Sequence, residues 1–119
     1  MDAAERRTLM DQGRQAFLAG QFYEAHELWE AVWDVIDDPD RTWIQGLIQI
    51  ATGLHKLSRG RSDVTVTLFK KALKKLFDAP PALDGMDLDL VRADAAAVLA
   101  AIERGERPLP SQVRLRSRA

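Results

Sequence analysis

The sequence contains no cysteine and only two histidines among its 119 residues. Without thiols it can form no disulfide scaffold, no thiolate zinc site and no cysteine nucleophile. Two histidines also leave few of the nitrogen ligands that bind transition metals strongly. The composition therefore predicts a protein with neither a metal nor another cofactor.

Long apolar runs and an excess of positive charge are also missing. No stretch approaches 18 consecutive apolar residues, so we expect no membrane span. The first seven residues, MDAAERR, lack the apolar segment of a secretory signal, and we predict a cytoplasmic location. The net charge of −1 argues against a dedicated nucleic-acid binder.

The small net charge conceals an uneven distribution along the chain. Residues 1–106 carry a net charge of −5, whereas residues 107–119 hold four arginines, two prolines and no acidic residue. This change predicts a single helical domain over 1–106 and an extended or disordered tail over 107–119. The tail could contact an acidic partner or simply remain solvated.

Alanine and leucine dominate the sequence and favour helix over strand. They supply 32 residues, against 17 for valine, isoleucine and threonine together. Apolar periodicity predicts about five antiparallel helices, over residues 3–19, 22–37, 41–58, 63–78 and 88–104. Glycine or proline follows each of these helices at a position where helices commonly end. Composition and periodicity together predict an all-α fold class.

A weak internal repeat appears when the chain is shifted by forty residues. The shift superposes Gly13 on Gly53, Gly20 on Gly60 and Trp29 on Phe69. The spacing of small and aromatic residues is similar to that of a tetratricopeptide repeat, although that period is about 34 residues. We predict two tetratricopeptide-like helical hairpins plus a closing helix, either with or without a binding role.

One group of polar residues could form a site between the second and third predicted helices. His26 and Glu30 are four residues apart, as are Gln45 and Gln49, so each pair shares one helical face. A buried amide without a partner costs about 1–3 kcal/mol. We therefore expect these four side chains to face one another across the helix contact.

Three interpretations of this cluster compete. It could be a structural hydrogen-bond network, a small pocket with Trp29 or Trp33 as its wall, or a centre for acid–base or metal chemistry. The segment from His26 to Glu30 resembles the zinc motif His-Glu-x-x-His, but a glutamate replaces its second histidine. We assign neither a metal ligand nor a catalytic residue.

The preferred hypothesis is a small binding or interaction module for an unknown small ligand or protein partner. A hydrolase-like or metal-dependent enzyme that uses His26 and Glu30 is the alternative. Charge blocks add a further possibility, because residues 22–40 hold seven acids and residues 56–75 seven bases. These blocks could be solvated faces, pair within the fold, or match across a homodimer.

The combined pattern resembles the bacterial, archaeal and plastid group called domain of unknown function family 309. The resemblance rests on Phe17, Gly20, Glu24-Ala25-His26-Glu27, Glu30 and Trp33, followed by Gln45-Gly46 and Ile48-Gln49, and covers about residues 6–77. It implies a small all-helical fold with a polar cluster at His26, Glu30, Gln45 and Gln49. It implies no activity. Gly60-Arg61 replaces the usual Gly-Asn stretch of the family, and Thr65 replaces an alanine.

Overall fold

Five helices make up most of the chain in the computed structural model, which describes residues 1–118. They are α1 (Ala3–Leu18), α2 (Phe22–Trp33), α3 (Asp40–Ser58), α4 (Ser62–Leu76) and α5 (Leu88–Glu103). The predicted all-α class is confirmed. A two-stranded antiparallel hairpin, β1 (Ala82–Leu83) and β2 (Met86–Asp87), joins α4 to α5. Strands of two residues are too short to show an alternating pattern in the sequence.

The helix bounds differ most from prediction at the end of α2, which was expected at residue 37. The helix ends at Trp33, whose carbonyl oxygen accepts a hydrogen bond from Arg41 Nε at 3.1 Å. The carboxylate of Asp38 then accepts hydrogen bonds from the backbone N–H and the hydroxyl of Thr42. Arg41 thus pairs with a carbonyl oxygen at the end of α2, and Asp38 pairs with an N–H group at the start of α3. The acidic stretch between the two helices therefore forms a turn.

Consecutive helices pack against each other, and α3 contacts both α2 and α4. Seven residues of α3 are buried: Ile44, Gly46, Leu47, Ile50, Ala51, Gly53 and Leu54. None of the helices in residues 1–118 is both long and apolar enough to cross a membrane.

The forty-residue repeat corresponds to two similar helix contacts. A Cβ atom at Gly13 would lie 2.1 Å from Nε1 of Trp29, and one at Gly53 would lie 2.7 Å from Cε1 of Phe69. Each glycine thus lets an aromatic ring of the next helix approach the backbone closely. The two helical hairpins share this packing, while their likeness to tetratricopeptide repeats stays a prediction.

The segment after α5 was expected to be an extended or disordered tail outside the domain. Residues 107–118 are largely extended, with a short 3-10 helix at Pro110–Gln112, but they pack on the helices. Val113 and Leu115 are buried in the common core, and Asp87 N–H donates to the Arg116 carbonyl oxygen at 2.9 Å. The boundary at residue 106 therefore does not mark the end of the core, and residue 119 lies outside the described residues.

Candidate functional site

His26 and Glu30 form the centre of the candidate site on α2. Because they lie one helical turn apart, Nε2 of His26 reaches to 2.8 Å from Oε2 of Glu30. The side chains are 24% and 46% exposed, respectively, so the pair lies at the edge of the core. The contact involves one oxygen of the Glu30 carboxylate, which leaves the second oxygen available to a donor.

The third helix brings Gln45 to the same place. His26, Glu30 and Gln45 line a cavity of about 190 Å³ whose remaining walls are Trp33 and Ile48. Within residues 1–118 the Gln45 side chain has no hydrogen-bond partner, although the amide offers both a donor and an acceptor. Three of the four predicted cluster residues therefore meet around one cavity with polar groups at its surface.

Trp33 provides an aromatic wall, and Arg41 from the start of α3 covers its ring. The guanidinium carbon of Arg41 lies 3.7 Å from the ring centroid, within the range of a cation–π contact. The cavity thus combines an indole, an aliphatic side chain, a carboxylate and a free amide.

Two of the predicted site residues lie elsewhere. Trp29 is fully buried, and its Nε1 donates to the Met10 carbonyl oxygen at 3.2 Å, so it faces α1 rather than the cavity. Gln49 does not line the cavity, and its Oε1 is buried. Gly46 and Gly53, which flank Gln49, let Leu76 and Phe69 of α4 approach α3 closely.

Direct contacts among the four predicted polar side chains do not join them into a closed network. Within residues 1–118, His26 Nδ1, Trp33 Nε1 and Gln49 Oε1 are buried without a hydrogen-bond partner. Each such atom costs about 1–3 kcal/mol relative to a paired one. The His26–Glu30 contact is therefore the one internal pairing of the four predicted polar side chains.

Tyr23 and His55 extend the aromatic surface beside the cavity, and neither was assigned to the site from the sequence. The Tyr23 ring centroid lies 5.6 Å from that of His26 and 5.8 Å from that of His55. His55 is partly buried. The spacing of Tyr23 and His26, three residues apart on one helix, could have identified the first contact. No local spacing signals the contact of Arg41 with Trp33, which spans the turn between two helices.

The cavity falls inside the part of the chain that matches a known family. Residues 10–68 match the family described as "Domain of unknown function (DUF309)". The chain belongs to this family. The resemblance noted from the sequence is thereby confirmed, and the DUF309 assignment carries no activity with it.

A curated relative of this DUF309 chain comes from Aquifex aeolicus (strain VF5) and is described as an "Uncharacterized protein". The two are 31% identical over 101 residues, which represent 84% of this chain. The chain spans 30% of the length of that relative.

Metal binding at the site has little support from its ligands. Residues 1–118 hold no group of three or more histidine, cysteine, aspartate or glutamate side chains that could surround a cation. His26 and Glu30 would supply two ligands, whereas protein zinc sites use three or four.

Proposed function

We propose that this DUF309 domain is a protein-interaction module whose cavity beside α2 and α3 receives one arginine side chain of a partner. The observation that carries the proposal is the unpaired Gln45 amide, which lines the cavity together with the half-exposed Glu30 carboxylate. A guanidinium can donate to both groups at once, because its N–H bonds point outwards in a planar fork.

The size of the cavity favours a side chain over a free metabolite. Its volume of about 190 Å³ lies below the roughly 300–1,000 Å³ that is typical of pockets for small molecules. Interfaces, by contrast, often insert a single arginine or aromatic side chain into a pocket of the partner. A cavity for one side chain is therefore the better fit.

Charge favours a basic side chain. Helix α2 carries three glutamates and no lysine or arginine; its other ionisable side chains are His26 and Tyr23. Glu24 and Glu27, which are close to His26 in sequence, are exposed. In residues 1–118 the acidic side chains of α2 form no ion pair with the lysines of α4. Lys70 of α4 pairs instead with Glu103 of α5, at 4.0 Å. The acidic face of α2 is thus available to attract a basic segment from solution.

The enzyme alternative has weaker support. A general base must present a ring nitrogen to its substrate. Nε2 of His26 lies 2.8 Å from the Glu30 carboxylate and Nδ1 is buried, which favours a positioning role for the ring over proton transfer to a substrate. We therefore favour binding over catalysis. A homodimer and a cytoplasmic location stay predictions.

The test is an NMR titration with N-acetyl-arginine amide as the probe. We expect saturable shifts of the Gln45 side-chain amide and of the Trp33 indole N–H at millimolar probe concentrations. The citrulline analogue has the same shape without the charge, and we expect it to bind at least about threefold more weakly, as for a partly exposed ion pair.

Two matched variants locate the interaction. Glu30→Gln should weaken binding of the probe about three- to fivefold. Glu27→Gln, at an exposed position on the same helix that does not line the cavity, removes only longer-range attraction and should weaken binding clearly less than Glu30→Gln does. Equal binding of arginine and citrulline probes, or equal losses in both variants, would contradict the proposal.

A further inference from the structure

A second and larger cavity lies between the end of α1 and the C-terminal segment. Its volume is about 530 Å³, within the range of pockets that hold small molecules. We call it the C-terminal groove and define it by the six lining residues used below: Arg14, Phe17, Leu18, Leu109, Val113 and Arg116. It shares no residue with the cavity at His26.

The walls of the C-terminal groove are mostly apolar. Phe17 and Val113 are buried and belong to the core. Leu18 and Leu109 also line the groove, but they are 52% and 64% exposed. Two large aliphatic side chains of the groove are therefore in contact with water. Adjacent exposed apolar groups of this kind are often found where a ligand or partner binds.

Two arginines add unbalanced positive charge to this apolar surface. Nε of Arg14 donates to the Leu115 carbonyl oxygen at 2.8 Å, and within residues 1–118 neither Arg14 nor Arg116 forms an ion pair. Arg114 differs, because its Nε lies 3.0 Å from the Asp94 carboxylate. Arg14 and Arg116 thus contribute two guanidinium groups without a direct ion pair, while the Asp94 carboxylate interacts with Arg116 at longer range.

We propose that the C-terminal groove binds a small amphipathic carboxylate. The carboxylate would pair with Arg14 and Arg116, since arginine binds carboxylates in a bidentate manner. The apolar body would cover Leu18 and Leu109 and remove their surface from water. A neutral apolar molecule would leave the arginines unpaired, and a purely polar anion would leave the leucines exposed.

Decanoate is a suitable probe, with decanol as its neutral counterpart of equal chain length. In an NMR titration of the full chain, decanoate should bind saturably and shift the backbone amides around Leu18, Leu109 and Arg116. Decanol should bind several-fold more weakly. Acetate, which has the carboxylate alone, should produce no saturable shift at the same concentrations.

Matched arginine variants test how much the positive charge of the groove contributes to decanoate binding. Arg116→Gln should weaken decanoate binding about three- to fivefold, as expected for an exposed ion pair. Arg107→Gln removes an exposed arginine of the same segment that does not line the groove and should leave the affinity unchanged. Leu109→Ser should weaken both decanoate and decanol, because it removes shared apolar contact.

Three results would overturn the proposal. One is the absence of saturable decanoate binding, and another is equal binding of decanoate and decanol. The third is binding of a short acidic peptide with leucines, such as acetyl-Asp-Leu-Leu-Asp-amide, where decanoate fails; the groove would then be a peptide site. The experiment is independent of the arginine titration, because the two cavities have no residue in common.

Discussion

At the scale of single residues, the pair formed by His26 and Glu30 contributes to the site more than to stability. The two side chains are separated by one helical turn and are both partly exposed. Pairs of this kind contribute roughly 0.3–0.5 kcal/mol. Nδ1 of His26 is buried without a partner, so the folded state gains no hydrogen bond from that atom.

We predict that His26→Ala lowers the free energy of unfolding by less than about 1 kcal/mol, because one weak pair is lost together with one unpaired buried atom. Urea unfolding measures the change. The same variant should weaken binding of the arginine probe, since Glu30 loses the partner that orients it. A loss of stability of about 2 kcal/mol or more would show instead that the cluster is a structural network.

Sequence reasoning located this pair but could not decide which tryptophan lies beside it. Trp29 and Trp33 are four residues apart, so helical spacing places them on neighbouring parts of one face. Their environments depend on other helices: Gly13 of α1 leaves room for Trp29, and Arg41 covers Trp33. Neither contact can be read from the spacing within α2.

At the scale of elements, the C-terminal segment shows why composition alone is a poor guide to order. Its arginines and prolines indicated a solvated tail, but Val113 and Leu115 are two residues apart and share one side of an extended chain. Backbone bonds fix that side inwards, since the Arg118 N–H donates to the Gly85 carbonyl oxygen at 2.7 Å. The short alternation was present in the sequence, but the hairpin that receives the segment was not predicted.

We predict that Leu115→Ala lowers the free energy of unfolding by about 2–5 kcal/mol, the usual cost of removing a buried leucine side chain. Leu115 is 1% exposed, whereas Leu109 in the same segment is 64% exposed. Leu109→Ala is therefore the matched control and should change stability by less than about 0.5 kcal/mol. Chemical unfolding followed by circular dichroism compares the two, and equal small effects would mean that the segment does not stabilise the core.

Helix existence was predictable throughout, while helix ends depended on local chemistry. The N-terminal helix begins after Asp2, whose carboxylate accepts a hydrogen bond from the Glu5 N–H at 2.8 Å. The end of α2 was misplaced because its apolar pattern continues through Ile36. What ends the helix is a contact from the following helix, the bond from Arg41 to the Trp33 carbonyl, which no pattern within α2 reveals.

At the scale of the whole molecule, the C-terminal segment joins elements that are far apart in sequence. It contacts α1 through Arg14, the β-hairpin through backbone bonds, and α5 through the Asp94–Arg114 pair. Asp94 accepts hydrogen bonds from both the backbone N–H and the guanidinium of Arg114. This carboxylate therefore provides one of several attachments of the segment that forms one wall of the C-terminal groove, and it is the attachment to α5.

The ionisation of Asp94 makes this attachment dependent on pH. Burial raises the pKa of Asp94, but hydrogen bonds from the Arg114 side chain and backbone outweigh it and hold the pKa below its ordinary value of 3.8. Because the native pKa is the lower one, the stabilisation is complete above the ordinary value and is lost as the pH falls through the native value. Acidification below about pH 4 should therefore loosen the segment.

We predict that hydrogen exchange at Leu115 and Arg116 accelerates in this acidic range before the helices unfold, because the segment loses its charged attachment while the core of α1 to α4 is retained. Asp94→Asn should give faster exchange already at neutral pH and reduce the acid dependence; the remainder comes from Asp87 and Asp89, which pair with Arg118 at 3.3 and 2.9 Å. Asp11→Asn is the control, since Asp11 pairs with Arg7 within α1 at 3.1 Å. If the segment stays protected in Asp94→Asn, then the buried Val113 and Leu115, the backbone bonds to the hairpin and the Arg118 pairs suffice to hold it, and the groove should keep its shape and its affinity for decanoate in this variant.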